Sequence, residues 1–515
     1  MLGIHLSASP SPMTRRAGEA ILAGSRMALS STPGGKGSWL GSPERAEREG
    51  RTMTHRTMAI VLIGMMCLAV SACAAAGPGR DAGASLRARH ALGVQRVLVL
   101  GVSVPDVEPG RSLDYLRDHV LERTARYYAG ASYGKTTLAG EVKGWYRLPR
   151  PLDDYRVSPY NIEVDRSRVW RLVEDALNAA EPDVAFDRYD HIVVVVGVDT
   201  RPGVGYGMIA YSANPGFLSR GGRRGDIRME AITTRGGQRF GGGIIVVAQN
   251  AHVGHIVHDL AHALGGAVEG RRPIPDLYDT VLQGRVGPLS IESFPKFTVF
   301  MGPWDVMSSH LVQPRQPPPG MSSFTRLRMG WIAEDQVADL APGESRAVRL
   351  GALGRGRGTL AIRIPGPWGT HYLLENRQNV PGDPVLPATG LLALHVDESR
   401  LDGDGIVRVV DADPSTPDFG AATHGVGPGQ TSSLALPRNV AVEVLWQEHE
   451  DLLVVVTTRA SAAEIRRVAG RIRAMEQKLE GAPPSPASAS ARANLSAAKE
   501  LLLQMKAGEA GRRLE

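Results

Sequence analysis

The chain has 515 residues, 43% hydrophobic and 22% charged, an ordinary globular composition with length for two or more cores. The formal net charge is +6, but residues 1–73 hold eight Lys/Arg against four Asp/Glu; that local +4 leaves only +2 for the rest, which argues against a nucleic-acid binder. Both cysteines, Cys67 and Cys73, lie in one N-terminal apolar stretch, so no disulfide can staple the remainder.

Residues 1–52 are rich in Ser, Gly, Pro and Arg and lack periodicity, so they are expected to be disordered or a mis-assigned segment ahead of a natural start at Met53. Residues 53–73 read as a signal peptide. The apolar run 58–72 follows His55 and Arg56 and is shorter than the ~20 residues a spanning helix needs. It ends in Val70-Ser71-Ala72-Cys73, which resembles the lipobox of bacterial lipoproteins. That resemblance implies lipidation of Cys73 and a lipid-anchored, extracytoplasmic protein of the cell envelope. The plainer reading is an ordinary secretory signal in which Cys73 is incidental.

A Gly/Ala/Arg linker, residues 74–89, leads into a domain expected over 90–335. Strands are predicted at 96–101, 142–146, 191–197 and 243–248, and helices at 112–128 and 165–180, where apolar residues recur at helical spacing. Alternating strand and helix predicts an α/β core. Residues 336–458 change character, with short β-type runs at 359–364, 372–374, 391–396, 407–410, 440–445 and 452–457. They predict a β-rich, sandwich-like domain. In residues 459–515, Ile465, Val468, Ile472, Met475 and Leu479 form one stripe, and Leu495, Ala498, Leu502 and Met505 another, across a Pro-rich break. A C-terminal helical hairpin, each stripe covering the other, is the economical reading.

The chemistry concentrates in His255-Ile256-Val257-His258-Asp259-Leu260-Ala261-His262-Ala263-Leu264-Gly265. Four residues apart on a helix, His258 and His262 face one way and can share a metal ion. Gly265-Gly266 ends the helix, and Asp276 in Pro275-Asp276-Leu277-Tyr278-Asp279 is the candidate third ligand, with Asp279 as its support or alternative. Zinc peptidases place a Glu after the first His as general base; here that position is Asp259. The shorter side chain retracts the carboxylate by about 1.3 Å, and a misplacement near 1 Å costs on the order of a hundredfold in rate. Glu269 is a conceivable substitute base, and His255 either lines the cleft or lies on the helix surface. Asp402-Gly403-Asp404-Gly405 lacks the remaining ligands of a calcium loop and reads as a turn. Glu375 and Arg377 read as a structural pair, Trp304 and Trp331 as core, and Asp305 as a loop brace.

The histidine motif with Pro275-Asp276-Leu277-Tyr278-Asp279 resembles the immune inhibitor A family of secreted bacterial metallopeptidases. Tyr127-Tyr128 through Lys135, Gly144-Trp145-Tyr146, Gly302-Pro303-Trp304-Asp305-Val306-Met307, Met329-Gly330-Trp331-Ile332 and Tyr372-Leu373-Leu374-Glu375 follow in the family's order, covering residues 95–458. The resemblance implies a zincin-like α/β core, Zn²⁺ held by His258, His262 and Asp276 above an apolar floor at Met307, and endopeptidase action on protein or peptide substrates. The sequence departs from the pattern at Asp259 and in a longer spacer, residues 267–273. The chain is therefore expected to be a zinc metalloendopeptidase with a weak base, or an inactive homologue that binds peptides or proteins as a scaffold. A purely structural lipoprotein acting through its C-terminal hairpin is the third reading.

Overall fold

The computed structural model describes residues 86–155, 166–199, 210–213, 230–278, 301–308 and 316–514. The signal segment, Cys73, Asp279 and the Gly-rich stretch 202–207 lie outside them. The protein is mixed α/β, with a parallel-sheet core, further β-sheets and C-terminal helices. Among the described residues no helix is long and apolar enough to cross a membrane.

Strands β1 (Gly93–Ser103), β2 (Thr136–Arg147), β3 (His191–Val196), β4 (Ala210–Ala213) and β7 (Gly243–Ala248) form the first sheet, in the order β2-β1-β3-β7-β4. The first four are mutually parallel, and β4 runs antiparallel along the edge beside β7. Between β4 and β7, β5 (Ile232–Thr233) and β6 (Arg239–Phe240) pair as a small ribbon. Every residue of β3 and β7 is buried, so both strands read as unbroken apolar runs rather than alternating ones. Alternation instead sorts two cores. Leu98, Leu100, Ile192, Val194, Ile244 and Val246 pack against the helix Arg166–Ala180 through Val169, Leu172 and Val173. Val97, Val99, Val193, Val195, Ile245 and Val247 face the opposite layer, which holds Leu116, Tyr128, Ile256, Val257 and Leu260. The helix expected at 112–128 runs as Leu113–Leu116 and Arg123–Ala131, joined through a wider π-turn at Arg117–Glu122.

His191 opens β3 in this interior. Burial pushes its pKa down to about 4, only partly opposed by Asp190. The unfolded chain therefore takes up a proton near 6.5 that the folded chain accepts only near 4, so stability is complete above 6.5 and drains as pH falls through that window. At pH 5 the loss is on the order of 2 kcal/mol for such a histidine. His191→Gln should flatten the decline of the urea midpoint between pH 7.5 and 5, and an unchanged slope would refute the assignment.

The β-rich region supplies two further sheets. Strands β8 (Val337–Asp339), β10 (Ala361–Pro365), β11 (His371–Arg377), β12 (Gly390–Val396) and β13 (Val407–Val409) are ordered β13-β12-β11-β10-β8. Strands β9 (Arg346–Leu350), β14 (Ser433–Leu436), β15 (Val440–Glu448) and β16 (Asp451–Thr458) are ordered β14-β15-β16-β9. Ile362, Leu374, Leu391 and Ala393 of the first meet Leu436, Val442, Val454 and Val456 of the second in one sandwich core. The other face of the five-stranded sheet, with Ala361, Leu373, Leu392 and Leu394, joins the core beneath the histidine helix.

The C-terminal region corrects the hairpin expectation in two respects. It holds three helices, Arg459–Glu480, Pro486–Leu503 and Ala507–Arg513. Their stripes also cover the sandwich: Ile465, Val468, Ile472, Leu495, Ala498 and Leu502 pack with Leu445, Trp446, Leu453 and Val455 of β15 and β16. A sheet face that apolar cannot be left in water, so the helices form an outer layer rather than satisfying only each other.

Candidate metal centre

The helix Val253–Gly265 carries the two histidines and is buried along its whole length. The His252 side chain caps its start by accepting from the Gly254 N–H. At its end Gly266 takes φ +65°, which favours glycine, and a Cβ on Gly265 would lie 2.6 Å from Ile274. The chain can therefore fold back tightly against the helix, and it does so with the segment that holds Asp276.

Residues 267–273, between the helix and Asp276, do not hold that carboxylate away from the histidines. Val268 and Arg271 exchange backbone hydrogen bonds of 2.9 and 3.0 Å around Glu269 and Gly270, both left-handed, a closed two-residue turn that folds most of this segment back on itself. Glu269 sits exposed at its tip, which removes it as a natural substitute base.

His258 Nε2 and His262 Nε2 lie 3.1 Å apart, and Asp276 Oδ1 is 3.0 Å from the first and 3.1 Å from the second. Each histidine's other nitrogen faces a backbone carbonyl: His258 Nδ1 the Val306 oxygen at 2.9 Å, His262 Nδ1 the Ile274 oxygen at 2.7 Å. A carbonyl only accepts, so both Nδ1 atoms carry the proton, and in the neutral rings both Nε2 lone pairs turn toward the carboxylate. Three electron-pair donors thus converge on one point. Such a group could hold a metal ion. Zinc–ligand bonds of roughly 2.0–2.1 Å in tetrahedral array place ligand atoms about 3.3 Å apart, close to the triangle seen. Burial alone would raise the Asp276 pKa; without a metal, histidines protonated at Nε2 as well would hold it well below the usual carboxylate range, the place a bound cation would take over from those protons.

Asp259 is 5% exposed, and among the described residues its Oδ2 has no hydrogen-bond partner. Burial pushes its carboxyl up to about 7, with His258 opposing and Asp276 adding to the rise. His255 is not a surface histidine: it is 2% exposed, and burial, with His252 and His258, pushes it down to about 3. Met307 is fully buried in the segment below, whose Val306 carbonyl orients His258 and whose Met307 carbonyl accepts the Leu277 N–H at 2.9 Å. Asp305 braces that segment, accepting from the Met307 N–H, the Ser322 N–H and the Ser322 and Thr325 hydroxyls at 2.6–2.8 Å. Trp304 and Trp331 are wholly buried core residues.

Two residues of this region were not singled out as contributors by sequence. Asp402, in the connection between β12 and β13, accepts the Asp276 N–H at 2.7 Å. Arg272, at the end of the spacer, lies 3.3 Å from the Asp402 carboxylate and 3.8 Å from that of Asp276. Gly403 and Gly405 take φ +69° and +71°, as a turn requires, and donate to the Asp276 and Tyr278 carbonyls. The pattern signalled a turn but not what the turn rests on. No protein-family model matches the chain, and no curated protein does.

Proposed function

We propose that the protein is a zinc metalloendopeptidase of the immune inhibitor A type, exported and lipid-anchored through Cys73, that hydrolyses peptide bonds in proteins of the cell's exterior. The observation that carries the metal reading is the convergence of His258 Nε2, His262 Nε2 and Asp276 Oδ1, with both Nδ1 protons committed to backbone carbonyls. Three protein ligands leave a fourth position open, the arrangement of catalytic rather than structural zinc. When bound, zinc supplies Lewis acidity at that position. Asp259 would accept the proton of the attacking water and return it to the leaving amine. Among the described residues β4, antiparallel beside β7, is an edge of the sheet, a backbone rim to which an extended peptide could add.

The burial and short reach of Asp259 favour one rival, a silent homologue that holds zinc and binds polypeptides without cutting them. The purified protein should take up one zinc per chain, removable by chelation, and cleave casein only in the loaded form. Absence of stoichiometric zinc sinks the metal reading; zinc without cleavage leaves the scaffold.

A further inference from the structure

The third ligand hangs on contacts that the peptidase-like core alone does not provide. Asp402 stands 126 residues beyond Asp276, yet its Oδ1 accepts the Asp276 backbone N–H at 2.7 Å. The Gly403 N–H donates to the Asp276 carbonyl at 3.3 Å, and the Gly405 N–H to the Tyr278 carbonyl at 3.0 Å. On the other side, the Leu277 N–H is fixed to Met307. The segment carrying Asp276 is thus gripped from two directions, and one grip comes wholly from the connection between β12 and β13.

We propose that Asp402 is a positioning residue for the metal, holding Asp276 at the histidine pair, with Arg272 as the cation that lets the two carboxylates lie side by side. An aspartate that only made its own turn would spend its oxygens on backbone two residues onward. Asp402 instead spends Oδ1 on the Asp276 N–H and directs Oδ2 at Arg272, 3.3 Å away. Arg272 lies 3.8 Å from the outer oxygen of Asp276, Oδ2, and leaves Oδ1 facing the histidines. The connection is itself pinned: Arg271 donates to the Glu398 carbonyl at 2.9 Å, and Arg328 lies 3.2 Å from the Glu398 carboxylate. The spacer that lengthens the route from Gly265 to Asp276 therefore supplies both Arg271, which anchors the β-rich connection, and Arg272, which joins the two acids.

This inference rests on the metal reading above, and its test separates the two. Zinc affinity would be measured by competition with a chromophoric chelator on the full chain, alongside the visible spectrum of the Co²⁺ form and the melting of the metal-free protein. Asp402→Ala should weaken zinc about 10- to 100-fold, the usual cost of losing an outer partner of a ligand. It should also alter the Co²⁺ spectrum while leaving metal-free melting close to wild type. Asp402→Asn keeps an oxygen for the Asp276 N–H and should recover most of the affinity, which a generic packing defect would not predict. Zinc affinity within twofold of wild type in Asp402→Ala, with an unchanged Co²⁺ spectrum, overturns the proposal. Should Asp402→Ala fail to fold, Arg272→Met decides: several-fold weaker zinc supports the proposal and unchanged affinity overturns it. No zinc in the wild type overturns both readings; zinc held equally by wild type and variant overturns this one alone.

Discussion

Asp259→Asn should abolish peptide-bond cleavage, and Asp259→Glu should raise it by about ten- to a hundredfold, at equal zinc occupancy. The expectation follows from two properties of the residue that pull in opposite directions. In the metal-free chain burial lifts its carboxyl to about 7; a bound Zn²⁺ would draw it back down, toward the ionised form that can take a proton from water. Its reach is the handicap, since one missing methylene retracts the oxygens by about 1.3 Å and a misplacement of that size costs on the order of a hundredfold. Glu restores the reach, but at a site only 5% exposed it must also find room, and overpacking costs typically 1–3 kcal/mol. Activity and stability of Asp259→Glu should therefore move in opposite directions. The measurement is kcat/KM on a fluorogenic casein peptide with zinc content determined on the same samples. Asn as active as wild type would remove Asp259 from the chemistry, and silence in all three proteins would select the scaffold reading.

What could be seen in the sequence, and what could not, divides by range. The histidine pair, the glycine stop and the returning Pro275-Asp276 lie within one short stretch, so helical periodicity and turn chemistry suffice to bring them together. The buried parallel strands β3 and β7 are equally visible, being apolar on both faces, whereas the half-exposed β2 is legible only over 142–146 of its span Thr136–Arg147. The strands without a local signal carry charges or are short: β8 has three residues ending in Asp339, and the five-residue β9 puts an arginine on each face, Arg346 with Val348 and Leu350 and Arg349 with Ala347. The third C-terminal helix has seven residues with two glycines, too few for a stripe to register. Asp402 escaped for a different reason. Its partner is 126 positions away, and no local pattern records a contact made by one side chain on one distant backbone N–H.

The pair Glu375 and Arg377 was visible by proximity alone, yet its weight comes from the third member. Arg377 is fully buried and donates to Asp383 through Nε at 2.6 Å and Nη2 at 2.9 Å, to Glu375 at 2.9 Å and to the Trp304 carbonyl at 2.7 Å. Glu375 in turn accepts the Ser323 N–H at 2.6 Å, at the start of the helix Ser323–Arg328. One guanidinium therefore ties the sandwich to the loop whose Val306 carbonyl orients His258. Arg377→Met leaves two carboxylates buried without their cation, a change of about 3–5 kcal/mol. Arg377→Lys should be nearly as damaging, because a point charge cannot match the bidentate grip on Asp383. Neutralising the acids in the triple variant Arg377→Met, Glu375→Gln, Asp383→Asn should recover part of the loss, since the dominant cost is the uncompensated charge rather than the missing attraction. Urea unfolding of the metal-free proteins reads all three. A loss below about 1 kcal/mol in Arg377→Met, which is what an exposed pair would give, would show that Arg377 does not carry this junction. Because the same side chain holds the loop beneath His258, Arg377→Met should also weaken zinc binding in whatever fraction remains folded, and Asp383→Asn, which keeps the guanidinium, should weaken it less.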